Sequence, residues 1–220
     1  MERVLEPELM EDPAQALAYA QADFAEVNRG FVDRFRATFP ELTRGRVLDL
    51  GCGPADIPIW LARALPSIRV TAVDGSEAML AQARKAVAEA GVADRVLLLR
   101  ALVPVIPFKP QTFDAVISNS LLHHLHNPDV FWQELLRLGR PGAAILVMDL
   151  FRPDSQERAR EIVEAAAADE DPVLKQDFYN SLLAAFTVDE VRAQLATMGL
   201  VHLDCRIISE RHWLVSGRLP

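Results

Sequence analysis

Short β-branched runs alternate with longer amphipathic stretches along this chain. The runs at 46–50 (RVLDL), 69–74 (RVTAVD), 95–100, 113–118 (FDAVIS) and 143–149 have the length of strands. Apolar residues at helical spacing separate them, in helices expected up to about Leu65, from Ser76 to about Ala90, and over 129–138. Pro58 falls in the first turn of the first of these, where a missing N–H costs little. Ser76 is placed to cap the second, and Gly91 to stop it. Strands that alternate with helices predict an α/β fold built on a mainly parallel sheet.

The flanks differ from this middle. Asp12-Pro13 opens what reads as a single helix to about Phe39-Pro40, with Leu17, Ala20, Phe24, Val27, Phe31 and Phe35 along one face. Asp is a good N-cap and Pro suits the first helical position. Beyond the fifth strand, helices are expected over 154–168, 171–185 and 187–198. Thr187 and Glu190 form a capping box, and Gly199 ends the last helix. The stretches 201–209 and 212–217 alternate as an antiparallel hairpin.

Composition narrows the role. The 220 residues carry a formal net charge of −8, with no run of Lys or Arg longer than two. That balance argues against nucleic acid, whose phosphates are met by basic side chains. Cys52 and Cys205 form no CxxC pair, which removes a disulfide framework and any zinc spacing and fits a cytoplasmic protein. The acidic amino end does not read as a signal peptide. The most apolar stretch, 143–150, is too short for a bilayer, so no membrane association is expected.

The chemistry concentrates after the first strand. Gly51-Cys52-Gly53-Pro54 lets the backbone approach a ligand, and the next helix aims its first N–H groups at the same place. The second strand ends in Asp74, whose carboxylate can accept hydrogen bonds from the vicinal hydroxyls of a ribose. Strand, glycine turn, helix, strand and acid together describe a nucleoside-binding unit. A dinucleotide turn needs a third glycine three residues after Gly53; Asp56 stands there.

The sequence Val47-Leu48-Asp49-Leu50-Gly51-Cys52-Gly53-Pro54 resembles the first motif of class I S-adenosylmethionine-dependent methyltransferases. Val73-Asp74-Gly75-Ser76, Phe113-Asp114-Ala115-Val116 and Leu138-Gly139-Arg140-Pro141-Gly142 resemble three further motifs of that family. The resemblance implies a Rossmann-like three-layer α/β sandwich: a seven-stranded, mainly parallel sheet with a C-terminal antiparallel hairpin, plus a helical cap. It implies one domain over 1–220, divided into a cap (1–40), a cofactor-binding core (43–150), a helical lid (151–186) and a final helix with hairpin (187–220). The implied cofactor is S-adenosyl-L-methionine. Asp49, Gly51, Cys52 and Gly53 would surround its methionine part, and Asp74 its ribose. Gly75 and Met79 would line the adenosine pocket, although Met79 also falls on an apolar helix face with Ala83 and Val87. Asn119 would offer its backbone carbonyl near the cofactor's amino group. Asp114 reads as a residue that stabilises the fold.

One position departs from the family. An acid that usually follows the third strand and accepts from adenine is replaced by Ala101, leaving backbone groups of Ala101 and Leu102. One lost hydrogen bond is worth about 0.5–1.5 kcal/mol. The departure leaves room for a non-catalytic protein that binds S-adenosylmethionine or S-adenosylhomocysteine; an NAD(P)-dependent oxidoreductase is the more distant alternative.

The acceptor is expected to be a small molecule, because the Asn-Pro-Pro-Tyr motif of DNA methyltransferases is replaced by Asn119-Ser120-Leu121. His123, His124 and His126 follow the fourth strand. His124, with His123, is either a base or substrate contact, or the pair orders its loop through hydrogen bonds. No fourth ligand is visible for a metal, and none is expected. Tyr19 and Asn28 from the first helix, with Arg152 and Tyr179 from the lid, are placed to cover the substrate. Arg152 would either clamp an anionic group or pair with Asp154 or Glu157. The lid aromatics, Phe178 and Phe186 among them, would stack on substrate or pack the lid.

Overall fold

The computed structural model describes residues 1–22 and 24–220. Helices α1 (Pro13–Gln21) and α2 (Ala25–Thr38) precede β1 (Arg44–Leu50), α3 (Asp56–Ala64), β2 (Ser67–Asp74) and α4 (Glu77–Glu89). Then come β3 (Val96–Arg100), β4 (Phe113–Asn119), a 3-10 turn at Leu122–His124, α5 (Asp129–Leu138) and β5 (Gly139–Leu150). Helices α6 (Gln156–Ala166), α7 (Pro172–Ala184) and α8 (Val188–Thr197) lead to the hairpin β6 (Asp204–Ile207) and β7 (His212–Arg218). The strands form one sheet in the order β3-β2-β1-β4-β5-β7-β6. The first five are parallel, β7 runs antiparallel to β5, and β6 antiparallel to β7.

Strand order reverses at β1, which lies between β2 and β4. A crevice opens beyond the carboxyl ends of strands at such a point. Register decides which residues reach it. Leu50 is level with Val73 on one side and Ser118 on the other, and Ser118 with Val147. The residues that follow, Gly51, Asp74 and Asn119, therefore emerge together, with Asp149 close behind.

Both faces of the sheet are covered, so its strands are continuously apolar. Successive side chains alternate between two layers. Val47 and Leu146 join Phe31, Phe35 and Leu61 under α2, α3 and α4. Leu48 and Ile145 join Phe131, Trp132 and Val191 under α5 and α8. At the base of the sheet, Asp114 accepts the Arg46 N–H at 2.6 Å and pairs with Arg140 at 2.5 Å, which ties β1 to β4 and β5.

Caps match the residues suited to them. Asp12 accepts from Ala14 N–H, Ser76 from Met79 N–H, and Thr187 exchanges hydrogen bonds with Glu190. The single helix expected over 12–40 is two. Helix α1 stops where Ala22 turns extended (ψ 147°), and α2 starts at Ala25; Asp23, inside the expected span, lies outside the described residues. The cause is tertiary: α1 packs on α4 and α7, whereas α2 packs on α3, and one straight axis cannot serve both. Strand β5 starts at Gly139, earlier than the expected 143, because Arg140-Pro141-Gly142 runs into the strand across a register shift. Strand β6 is shorter than the expected 201–209.

Candidate cofactor and acceptor site

The turn after β1 is built from left-handed residues. Gly51 (φ +73°), Gly53 (φ +51°) and Ala55 (φ +71°) reverse the chain into α3. A side chain at Gly51 would also collide with Leu121, 2.8 Å from an ideal Cβ. The Gly51 and Cys52 N–H groups both donate to the Val73 carbonyl, at 2.8 and 2.9 Å, which pins the turn to β2.

Asp74 is fixed from two sides. One oxygen accepts the Gly53 N–H and the other the Ser76 N–H, each at 2.8 Å. A carboxylate has about four lone-pair sites, so each oxygen keeps capacity for a ligand hydroxyl. Burial pushes its pKa up, against the two backbone donors. Asp49 beside it is 2% exposed. Burial, and then the charge of Asp74, hold its carboxyl well above the usual range. Burial likewise pushes the Cys52 thiol up, so it remains protonated.

These residues line one cavity. Asp49, Gly51, Cys52 and Gly53 form its floor; Asp74, Gly75, Met79 and Ala101 form one wall. Met79 turns into the cavity, while Ala83 and Val87 of the same helix enter the core. Leu102 does not line it: the side chain is 55% exposed and lies outside Gly75, and Val103 supplies the apolar wall instead.

A second cavity adjoins the first. Tyr19, Asn28, Asn119 and His124 face both. His123, Phe178, Arg211 and His212 belong to the second alone. The Asn119 side-chain oxygen is buried here without a hydrogen-bond partner. Sequence reasoning assigned its backbone carbonyl; the side chain is the group left open to a donor. Burial, with Asp56 and Asp74, pushes the Tyr19 hydroxyl up to about 12, so it stays a neutral donor.

The histidines are held by partners that the sequence did not suggest. His123 Nδ1 lies 2.5 Å from Asp149 Oδ1, and its backbone N–H donates to the other oxygen at 3.1 Å. Burial opposes charge on His123, but the Asp149 charge and hydrogen bond outweigh it and raise the imidazole pKa. Burial acts oppositely on Asp149, yet His123 keeps that carboxyl below the usual range. His124 Nδ1 is 3.1 Å from Glu6, and His126 meets Glu6 and Glu8. Residues 1–11 thus form a strap across the site. Arg3 fastens it, donating to the carbonyls of His123, Leu125 and Ala184 and lying over the Phe186 ring. The strap has no periodicity; its only signal was an acidic cluster at Glu6, Glu8 and Glu11, far in sequence from three histidines.

Two expectations change. Arg152 lines neither cavity. It is 7% exposed and binds Glu190 at 2.6 Å and the Ala185 carbonyl at 2.9 Å, so it is neither a substrate clamp nor the partner of Asp154 or Glu157. Tyr179 packs into the lid beside Arg160, and its neighbour Phe178 reaches the cavity.

Residues 47–142 match a family model described as a methyltransferase domain. The chain is 33% identical over 113 residues to a ubiquinone/menaquinone biosynthesis C-methyltransferase of Geobacter sulfurreducens, covering 51% of this chain and 44% of that protein. It is 26% identical over 179 residues to the 27-O-demethylrifamycin SV methyltransferase of Amycolatopsis mediterranei, covering 81% and 62%. The chain spans less than two thirds of the length of these relatives. The structure of a putative S-adenosyl-L-methionine-dependent methyltransferase from Methanococcus maripaludis superposes with a TM-score of 0.77, at 18% identity, over 99% of this chain and 98% of that one. The fold is that of the class I methyltransferases. The first cavity has the groups that S-adenosylmethionine needs: an anchored acid for a diol, a buried carboxyl group for a cation, and apolar walls.

Proposed function

We propose that this chain transfers a methyl group from S-adenosylmethionine to a small organic acceptor held in the second cavity. The carrying observation is the wall of Tyr19, Asn119 and His124, which faces both cavities and marks their junction. When bound, S-adenosylmethionine supplies an electrophilic methyl carbon on a sulfonium. Asp74 would hold its ribose, Asp49 with the turn 51–53 its methionine end, and Asn119 an amino donor. The chain's main contribution is to hold acceptor and methyl in line, from which most of the acceleration can come. An acceptor that must lose a proton would do so beside His124 and His123, with Asp149 orienting the His123 ring. The names of the relatives, one a C- and one an O-methyltransferase, support a small acceptor.

The net charge of −8 supports a small molecule over nucleic acid. Among the described residues no helix is long and apolar enough to cross a membrane, and both cysteines are buried and free, which supports a cytoplasmic protein. Strands on either side of the lid share one sheet, which supports a single domain.

The test is calorimetry with S-adenosylhomocysteine, then transfer of labelled methyl to a panel of phenols, thiols, amines and quinols. Binding with labelled product is expected. Binding without product across the panel would favour the non-catalytic alternative. Nicotinamide-cofactor binding without S-adenosylhomocysteine binding would sink both.

A further inference from the structure

Glu6 meets His123 and His124, two residues that line the second cavity. Glu6 Oε1 lies 3.1 Å from His124 Nδ1 and 3.5 Å from His123 Nε2. One potential ligand atom from each lies within 4.8 Å of the others. In a tetrahedral zinc site, with bonds of about 2.0–2.1 Å, adjacent ligand atoms stand roughly 3.3–3.4 Å apart. The two measured separations bracket that edge.

Three further observations favour a cation. First, the corner has the supporting groups of a metal centre. Metal-binding histidines donate their other ring nitrogen to a carboxylate, which fixes the ring; His123 does this toward Asp149, and Asp149 is itself anchored by the Leu150 and His123 N–H groups. Ser181 Oγ holds Glu6 at 3.1 Å. Second, His124 Nδ1 is buried and makes no hydrogen bond, although Glu6 is close. An ion between them would use both lone pairs. Third, the carboxylates Glu6, Asp149 and Glu190 outnumber the nearby guanidinium groups of Arg3 and Arg152, so with neutral histidines the corner carries net negative charge.

We propose that Glu6, His123 and His124 bind a divalent transition metal of the zinc class, with its fourth position open to the second cavity. Two nitrogens, one oxygen and an open position make a catalytic rather than a structural donor set. A metal there lowers the pKa of a bound hydroxyl or thiol. The acceptor's proton leaves to solvent, and its oxygen or sulfur forms the bond to the methyl carbon as the carbon–sulfonium bond breaks, the bonding pair remaining on that sulfur. This role rests on the methyl-transfer proposal; metal binding does not.

The test titrates the full chain, stripped with chelator, with cobalt(II) and follows the visible absorption of tetrahedral cobalt. Saturable binding, displaced by zinc, is expected. Glu6→Gln and His124→Ala should each weaken it at least tenfold, and Asp149→Asn by about tenfold through the His123 ring. His202→Ala, whose ring meets the Arg218 carbonyl far from the cluster, should leave it unchanged. Circular dichroism checks that each variant folds. Absence of tetrahedral cobalt binding in the folded chain, or equal loss in His202→Ala, would overturn the site. Failure of S-adenosylhomocysteine to bind would instead overturn the methyl-transfer proposal alone.

Discussion

The carboxylate of Asp74 accepts the N–H of Gly53 across 2.8 Å, so the acid that ends β2 is fastened to the turn that ends β1. Its other oxygen is held by Ser76 N–H. Asp74→Ala should weaken S-adenosylhomocysteine binding by about 1–3 kcal/mol, because ribose hydroxyls would be buried unpaired. Calorimetry reads this directly. Unchanged affinity in a folded variant would make Asp74 a purely structural residue.

The two glycines of the turn should respond differently to alanine. Gly53 has open space for a Cβ but a left-handed backbone, so Gly53→Ala should cost about 1–2 kcal/mol. Gly51 has the same backbone problem and Leu121 in the way, so Gly51→Ala should cost more, by about 1–3 kcal/mol for the clash. Urea unfolding of both variants ranks them. Equal losses would remove the collision with Leu121 from the account.

His212 gives stability a pH dependence of known sign. Burial, then Arg211, push its pKa from the usual 6.5 down to about 4. Above pH 6.5 the ring is neutral folded or unfolded and contributes no slope. As pH falls from 6.5 toward 4 the unfolded chain takes a proton that the folded chain refuses, so stability is lost. The loss is on the order of 3 kcal/mol. His212→Gln should remove that part of the acid destabilisation. Urea unfolding of both proteins near neutrality and near the lower end of the window measures it; parallel losses would refute the assignment.

Arg3 fastens the strap by hydrogen bonds to three carbonyls. Bonds to a charged donor contribute about 1.5–3 kcal/mol. Arg3→Ala should therefore speed amide exchange in residues 1–11 by at least about tenfold while β1 and β4 stay protected. Unchanged exchange would show that contacts other than those of Arg3, such as Val4 N–H to the Leu183 carbonyl and Ser76 Oγ to the Met10 carbonyl, hold the strap.

Local chemistry was legible in the sequence. Ser76, Asp12 and the Thr187–Glu190 box start helices where they should, and α5 occupies the span read for it, because caps and apolar faces act over a few residues. The turn at Gly51 and the acid at Asp74 were legible for the same reason. What was lost is set by distant partners. The break between α1 and α2 depends on which helices each meets. Arg152 has acids two and five residues on, yet pairs with Glu190, brought alongside by the start of α8. Tyr179 was misplaced by one residue, Phe178 being the one that reaches the cavity, since the direction of a side chain depends on phase that composition does not carry. Glu6 reaches His123 and His124 from a segment with no pattern at all.

The shared wall between the cavities has an evolutionary consequence. A substitution at Tyr19, Asn28, Asn119 or His124 alters both chambers, so under the methyl-transfer proposal selection for a new acceptor at those positions would also disturb affinity for the cofactor. Phe178, Arg211 and Leu174 face only the second cavity, and they come from α7 and the β6–β7 turn. Divergence in acceptor choice should accumulate there, where one ligand can be exchanged without renegotiating the other.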